Sequence, residues 1–154
     1  MDSLKANALV EKIGDLLAGR QSPQAKLLSI CGSLSRSIPY YNWVGFYIVD
    51  ETGQWLDLGP FVGEPTEHVR IPFGRGICGQ AAATGRTFVV QDVTKETNYL
   101  SCSLKVKSEI VLPIVVGGKV VAELDIDSHE VAPFTPEDTA FLERVCELVA
   151  PLFK

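Results

Sequence analysis

The apolar positions Leu9, Val10, Ile13, Leu16 and Leu17 recur at the helical period over residues 3–17, and Gly19 supplies a stop. Ser22-Pro23 then reads as an N-cap followed by a first-turn proline. Behind it, Leu27, Ile30, Cys31, Leu34 and Ile38 form one stripe that ends before Pro39. Beyond this point the pattern changes. Residues 42–49 are rich in aromatic and β-branched side chains, Glu51-Thr52-Gly53 is a turn, and residues 54–58 resume the strand pattern, so a hairpin is expected.

A polar loop with Pro and Gly over residues 59–67 leads through Arg70-Ile71-Pro72-Phe73 into the glycine-bearing run 74–79. Residues 80–84 read as a short helix closed by Gly85, and residues 87–90 as a short strand. Residues 92–108 are polar and without period, and a stretch of that kind in a compact domain is commonly functional. Residues 109–116 and 119–127 are two strands joined by Gly117-Gly118. Thr135-Pro136-Glu137-Asp138 caps a last helix, about 135–152, whose stripe is Phe141, Leu142, Val145, Leu148, Val149 and Leu152. This order predicts one α+β domain over 1–154: two N-terminal helices (about 3–38), then sheet, pocket and loops (about 42–128), then the C-terminal helix. The central antiparallel sheet has the terminal helices on one face and pocket loops on the other.

Composition narrows the function classes. The chain has 154 residues, 46% apolar and 21% charged, which suits a globular core. Its net charge of -5 comes with scattered Lys and Arg, so no basic stripe invites nucleic acid. No apolar run approaches the ~20 residues that span a bilayer, and the first twenty residues mix acids and bases, so a cytoplasmic protein without a membrane partner is expected. The four cysteines, Cys31, Cys78, Cys102 and Cys146, include no C-x-x-C pair, and His68 and His129 have no second ligand at metal spacing. Neither a metal site nor a disulfide scaffold is expected. Cys31 and Cys146 lie on or beside helical stripes and read as packing.

The candidate chemistry lies elsewhere. Along residues 120–127, Glu123, Asp125 and Asp127 share one face and Leu124 and Ile126 the other. That face is either solvated or a pocket in which neighbouring carboxylates raise one another's pKa, a setting suited to a cationic amino group. Glu109 opens the preceding strand and can reach the same place. Cys102 sits among polar residues with Lys105 and Lys107 near it in sequence, where positive charge favours a thiolate. Cys78 lies between Gly76 and Gly79 at a helix start, either a small hydrophobe in a turn or a thiol whose anion is stabilised by free N–H groups. The glycines of 74–79 lack the lysine-hydroxyl pair of a phosphate loop.

Five segments occur in order: Asn42-Trp43-Val44-Gly45-Phe46-Tyr47; Leu58-Gly59-Pro60-Phe61-x-Gly63; Arg70-Ile71-Pro72-Phe73-Gly74-x-Gly76-x-Cys78-Gly79; Ser108-Glu109-Ile110-Val111-Leu112-Pro113; and Leu124-Asp125-Ile126-Asp127-Ser128. Together they resemble the GAF-domain free methionine-(R)-sulfoxide reductases, from about residue 41 to the final helix. The resemblance implies a GAF fold and reduction of free methionine (R)-S-oxide. Cys102, seven residues before Glu109, matches the family's catalytic cysteine and Cys78 its resolving cysteine. Glu109, Asp125 and Asp127 match the acids that bind the substrate's amino group and assist protonation of the oxygen. Trp43 and Tyr47 would supply an aromatic wall, with Ile77 and Ser101 completing the substrate contacts.

The resemblance further implies no bound cofactor, a sulfenic acid on Cys102, a Cys78-Cys102 disulfide, an external thioredoxin-type dithiol reductant, and a homodimer of the kind GAF domains form through terminal helices. Two departures stand out: His68 replaces a third cysteine of many members, and Tyr99-Leu100-Ser101-Cys102-Ser103 replaces the common His-Ile-Ala-Cys-Asp. A non-catalytic small-molecule-binding GAF module and a thiol redox sensor are the alternative readings.

Overall fold

The computed structural model describes residues 1–100 and 103–153. The chain begins with α1 (Ser3–Ala18) and α2 (Pro23–Ser37), followed by β1 (Trp43–Val49), β2 (Trp55–Val62) and β3 (Arg70–Pro72). Then come α3 (Gly76–Thr84), β4 (Phe88–Val90), β5 (Ser108–Val116), β6 (Lys119–Ser128) and α4 (Pro136–Val149). The six strands form one sheet in the order β3-β2-β1-β6-β5-β4, and every neighbouring pair is antiparallel. The predicted turn between β5 and β6 is present: Gly117 and Gly118 both take left-handed φ, 58° and 80°, the pair a tight hairpin turn requires.

One face of the sheet is covered by α1, α2 and α4. Leu9, Ile13, Leu27, Ile30, Cys31 and Leu34 from the first two helices meet Phe141, Leu142 and Val145 from α4. All pack on the inward side chains Val44, Phe46, Ile110, Leu112, Leu124 and Ile126. Cys31 and Cys146 belong to this core as packing groups, and burial pushes the Cys31 thiol up to about 12 and raises that of Cys146 as well. The opposite face carries α3 together with the loops, over a second apolar cluster that includes Trp43, Tyr47, Ile77, Cys78 and Val111.

Two boundaries differ from the sequence reading. The stretch read as a loop from residue 59 is still strand to Val62, because its backbone pairs with β1 through Phe61 and Val62 despite Gly59-Pro60. The short helix begins at Gly76 rather than at residue 80, so Cys78 lies inside its first turn. Glycine-rich composition hid that turn, since glycine is a poor helix former on propensity alone.

The α4 N-terminus does more than cap itself. Asp138 and Thr135 form a capping box. The fully buried Asp138 carboxylate also accepts hydrogen bonds from the Tyr40 and Tyr41 hydroxyls, which join the end of α2 to the start of α4. Burial and the Asp138 charge both raise the Tyr41 hydroxyl far above its ordinary value. Removing the carboxylate with Asp138→Ala is expected to cost about 3 kcal/mol, since a buried tyrosine hydroxyl loses its acceptor. Urea unfolding at constant m-value measures it, and a loss under about 1 kcal/mol would show that the network contributes little.

Candidate active site

Strand register decides which side chains can meet. Opposed residues of antiparallel strands share a face, and β6 pairs with β1 as Trp43 with Asp127, Gly45 with Asp125 and Tyr47 with Glu123. On its other side Glu109 of β5 is opposite Asp127, and Val111 is opposite Asp125. The predicted alternation is therefore real, with Leu124 and Ile126 in the helical core and Glu123, Asp125 and Asp127 on the opposite face. The solvated alternative is ruled out: Glu123, Asp125 and Asp127 are 0%, 2% and 1% exposed, and Glu109 5%.

These carboxylates are short of donors. Both oxygens of Glu123, both of Asp127 and Oδ1 of Asp125 have no donor among the described residues. Burial raises the pKa of all three, and the Asp125 charge adds to the rise for Glu123 and Asp127. Burial thus favours the protonated form of these groups, or a cation beside them.

Cys78 is placed against this group from α3. Its thiol donates to Asp125 Oδ2 at 3.4 Å, with Glu109 Oε2 3.9 Å away. Of the two readings of Cys78, a packed thiol and a stabilised anion, its surroundings favour the protonated, packed thiol. Burial and the charges of Asp125, Glu109 and Glu123 hold the thiol well above its ordinary value. The Gly76 N–H at that helix start is already bonded to Asn98 Oδ1 at 2.9 Å.

The aromatic wall is present. Trp43 stacks on Phe61, centroids 5.4 Å apart, and on Tyr47 at 6.4 Å. The Trp43 indole lies over Gly45, where any Cβ would collide with the ring and with Phe61 Cβ. Trp43 Nε1 donates to the Glu64 carbonyl and the Tyr47 hydroxyl to the His68 carbonyl, so both rings are held from the β2–β3 connection.

Tyr47, Ile77, Cys78, Glu109 and Asp125 line one small cavity of about 10 Å³, room for roughly one water. His68, Arg75 and Leu100 line it too, and Leu100 packs on Gly76. Sequence reasoning noted His68 as the replacement of a third cysteine and gave Arg75 and Leu100 no role, since an apolar residue in an irregular segment such as Leu100 carries no signal. Asp127 lines a neighbouring cavity with Trp43, Val106 and His129. Ser101 and Cys102 lie outside the described residues. Lys105, read as a cation near Cys102, forms an exposed ion pair with Glu64 at 3.0 Å.

The raised carboxyls have a pH signature. A carboxyl whose folded pKa exceeds its unfolded value of roughly 4 favours folding most below that unfolded value, and the advantage is lost as pH rises through the folded pKa. Glu123→Gln removes a charge without a partner, so thermal unfolding is expected at higher temperature than wild type at pH 8, with the gap closing towards pH 4. A variant no more stable at pH 8 would show that Glu123 is not a buried cost.

A GAF domain model matches residues 27–151. Protein YtsP of Bacillus subtilis is 46% identical over 74% of this chain and 69% of its own length. The free methionine-R-sulfoxide reductase of Escherichia coli is 40% identical over 90% of this chain and 81% of its own. Among solved structures, free methionine-R-sulfoxide reductase from Neisseria meningitidis, in complex with its substrate, superposes with a TM-score of 0.90 at 35% identity, covering 96% of this chain and 87% of that one. With the buried acids, the thiol and the aromatic wall on one sheet face, this chain belongs to the GAF-domain free methionine-(R)-sulfoxide reductase family.

Proposed function

We propose that this protein reduces free methionine (R)-S-oxide to methionine, with Cys102 as nucleophile and Cys78 as resolving thiol. The observation that carries the reading is the set of buried carboxylate oxygens without a donor among the described residues, Oδ1 of Asp125 and both of Asp127, beside Glu109 and under the Trp43–Tyr47 wall. A free amino acid supplies an ammonium group with three donors for such acids, whereas a methionine inside a polypeptide does not. The aromatic faces suit the methyl-sulfinyl end.

The chemistry follows from the protonation states. The Cys102 thiolate attacks the sulfoxide sulfur while a protonated carboxyl of the cluster gives its proton to the oxygen, so that the oxygen passes to Cys102 as a sulfenic acid and methionine leaves. Burial raises the pKa of Asp125 and Asp127, which favours the protonated form that this step uses. Cys78 then passes its proton by way of Asp125, 3.4 Å away, to the departing hydroxyl of the sulfenic acid, and its sulfur displaces that hydroxyl as water to give the Cys78-Cys102 disulfide. An external dithiol of the thioredoxin type returns both thiols, with no bound cofactor in the cycle. A cavity of one water's size does not admit a methionine, so substrate binding displaces part of its cover, which includes Leu100.

The test is turnover of the separate R and S epimers with a dithiol reductant. An R-specific rate is expected, falling by about two orders of magnitude or more in Cys102→Ser. Cys78→Ser is expected to form one methionine per enzyme and then stall with a sulfenic acid that a 1,3-diketone traps. Retained turnover in Cys102→Ser would overturn the assignment. Disulfide formation under oxidant with no methionine from either epimer would make the protein a thiol sensor instead.

A further inference from the structure

The cavity floor holds a pattern that an ammonium ligand does not require. Cys78 Sγ is 3.4 Å from Asp125 Oδ2 and 3.9 Å from Glu109 Oε2, and the three groups can present donor atoms all within 4.8 Å of one another. Tetrahedral bonds of about 2.3 Å to sulfur and about 2.1 Å to oxygen set a sulfur and an oxygen roughly 3.6 Å apart. Both separations lie within a few tenths of an ångström of that edge, so the three side chains already stand near the corners of a metal site.

A second observation is independent of these ligands. Glu123, fully buried and unused by the proposed reaction, has neither oxygen satisfied, and its charge acts on Cys78. Asp127 adds a further unsatisfied carboxylate on the same face. Buried carboxyl groups without donors among the described residues, next to a cavity of about 10 Å³, suit one small dication with a water as its fourth ligand. The sulfur donor selects a borderline metal over magnesium or calcium, which prefer all-oxygen sets.

We infer that Cys78, Glu109 and Asp125 form a three-ligand site for a single borderline divalent cation, zinc above all. On binding, a metal–sulfur bond forms as the Cys78 S–H proton leaves to solvent, and no oxidation state changes. The bound ion occupies the acids meant for the substrate ammonium and masks the resolving thiol, so micromolar zinc inhibits turnover. That consequence rests on the reductase reading, whereas the binding itself does not.

Cobalt(II) added to the reduced, metal-free protein is the probe. One equivalent is expected to give a thiolate-to-cobalt charge-transfer band and tetrahedral ligand-field bands, displaced by zinc. The spectrum is expected to persist in Cys102→Ser, disappear in Cys78→Ser and require about tenfold or more cobalt in Asp125→Asn, with circular dichroism confirming that each variant is folded. A band undiminished in Cys78→Ser, or only the spectrum of hydrated cobalt in wild type, would overturn the metal site. Absence of the band alongside R-specific turnover sinks this inference and leaves the reductase standing. A Cys78-dependent band without turnover does the reverse.

Discussion

Four buried carboxylates on one face of two neighbouring strands, with Glu123, Asp127 and one oxygen of Asp125 lacking a donor among the described residues, are the constraint on which the rest of the structure depends. Each such group is costly to hold in a low-dielectric interior. The cost is met on the other side of the same strands. Leu124 and Ile126 alternate with the acids along β6 and join α1, α2 and α4 in one continuous apolar core. A strand is suited to this division because its period of two separates the faces residue by residue. One segment can therefore serve stability and chemistry together.

The contrast with Asp138 is informative. That carboxylate is as buried as Asp125, but two tyrosine hydroxyls, a threonine hydroxyl and a backbone N–H saturate it. It is a structural acid that ties α2 to α4. Glu123 and Asp127 have no donors among the described residues, and groups of that kind are where ligands, protons or ions bind. The difference between the two classes lies in the donors around them and not in depth of burial.

Cysteine shows the same division. Cys31 and Cys146 sit in the apolar core, where burial is the main cause that keeps them as thiols. Cys78 is also protonated, yet it is held by Asp125, which gives its proton a defined destination. A helix N-terminus would lower a thiol's pKa in isolation. Here desolvation and neighbouring negative charge outweigh it, and the Cys78 thiol stays well above its ordinary value.

The amino-acid sequence by itself determined the elements and their faces. The stripes of α1, α2 and α4, the Gly117-Gly118 turn, the Thr135 cap and the alternation along β6 are local patterns with local causes. Motif order also carried the family, and Cys78, Glu109 and Asp125 of those motifs line one cavity, with Asp127 in its neighbour. Burial of those acids was not legible, since alternation gives a face but not what covers it. The Tyr40–Tyr41–Asp138 network and the placing of Leu100 over Gly76 join residues distant in sequence, so no window of sequence contains them. The protonation state of Cys78 was decided only when strand pairing and α3 docking brought three carboxylates around one sulfur, because electrostatic energy depends on distances in space.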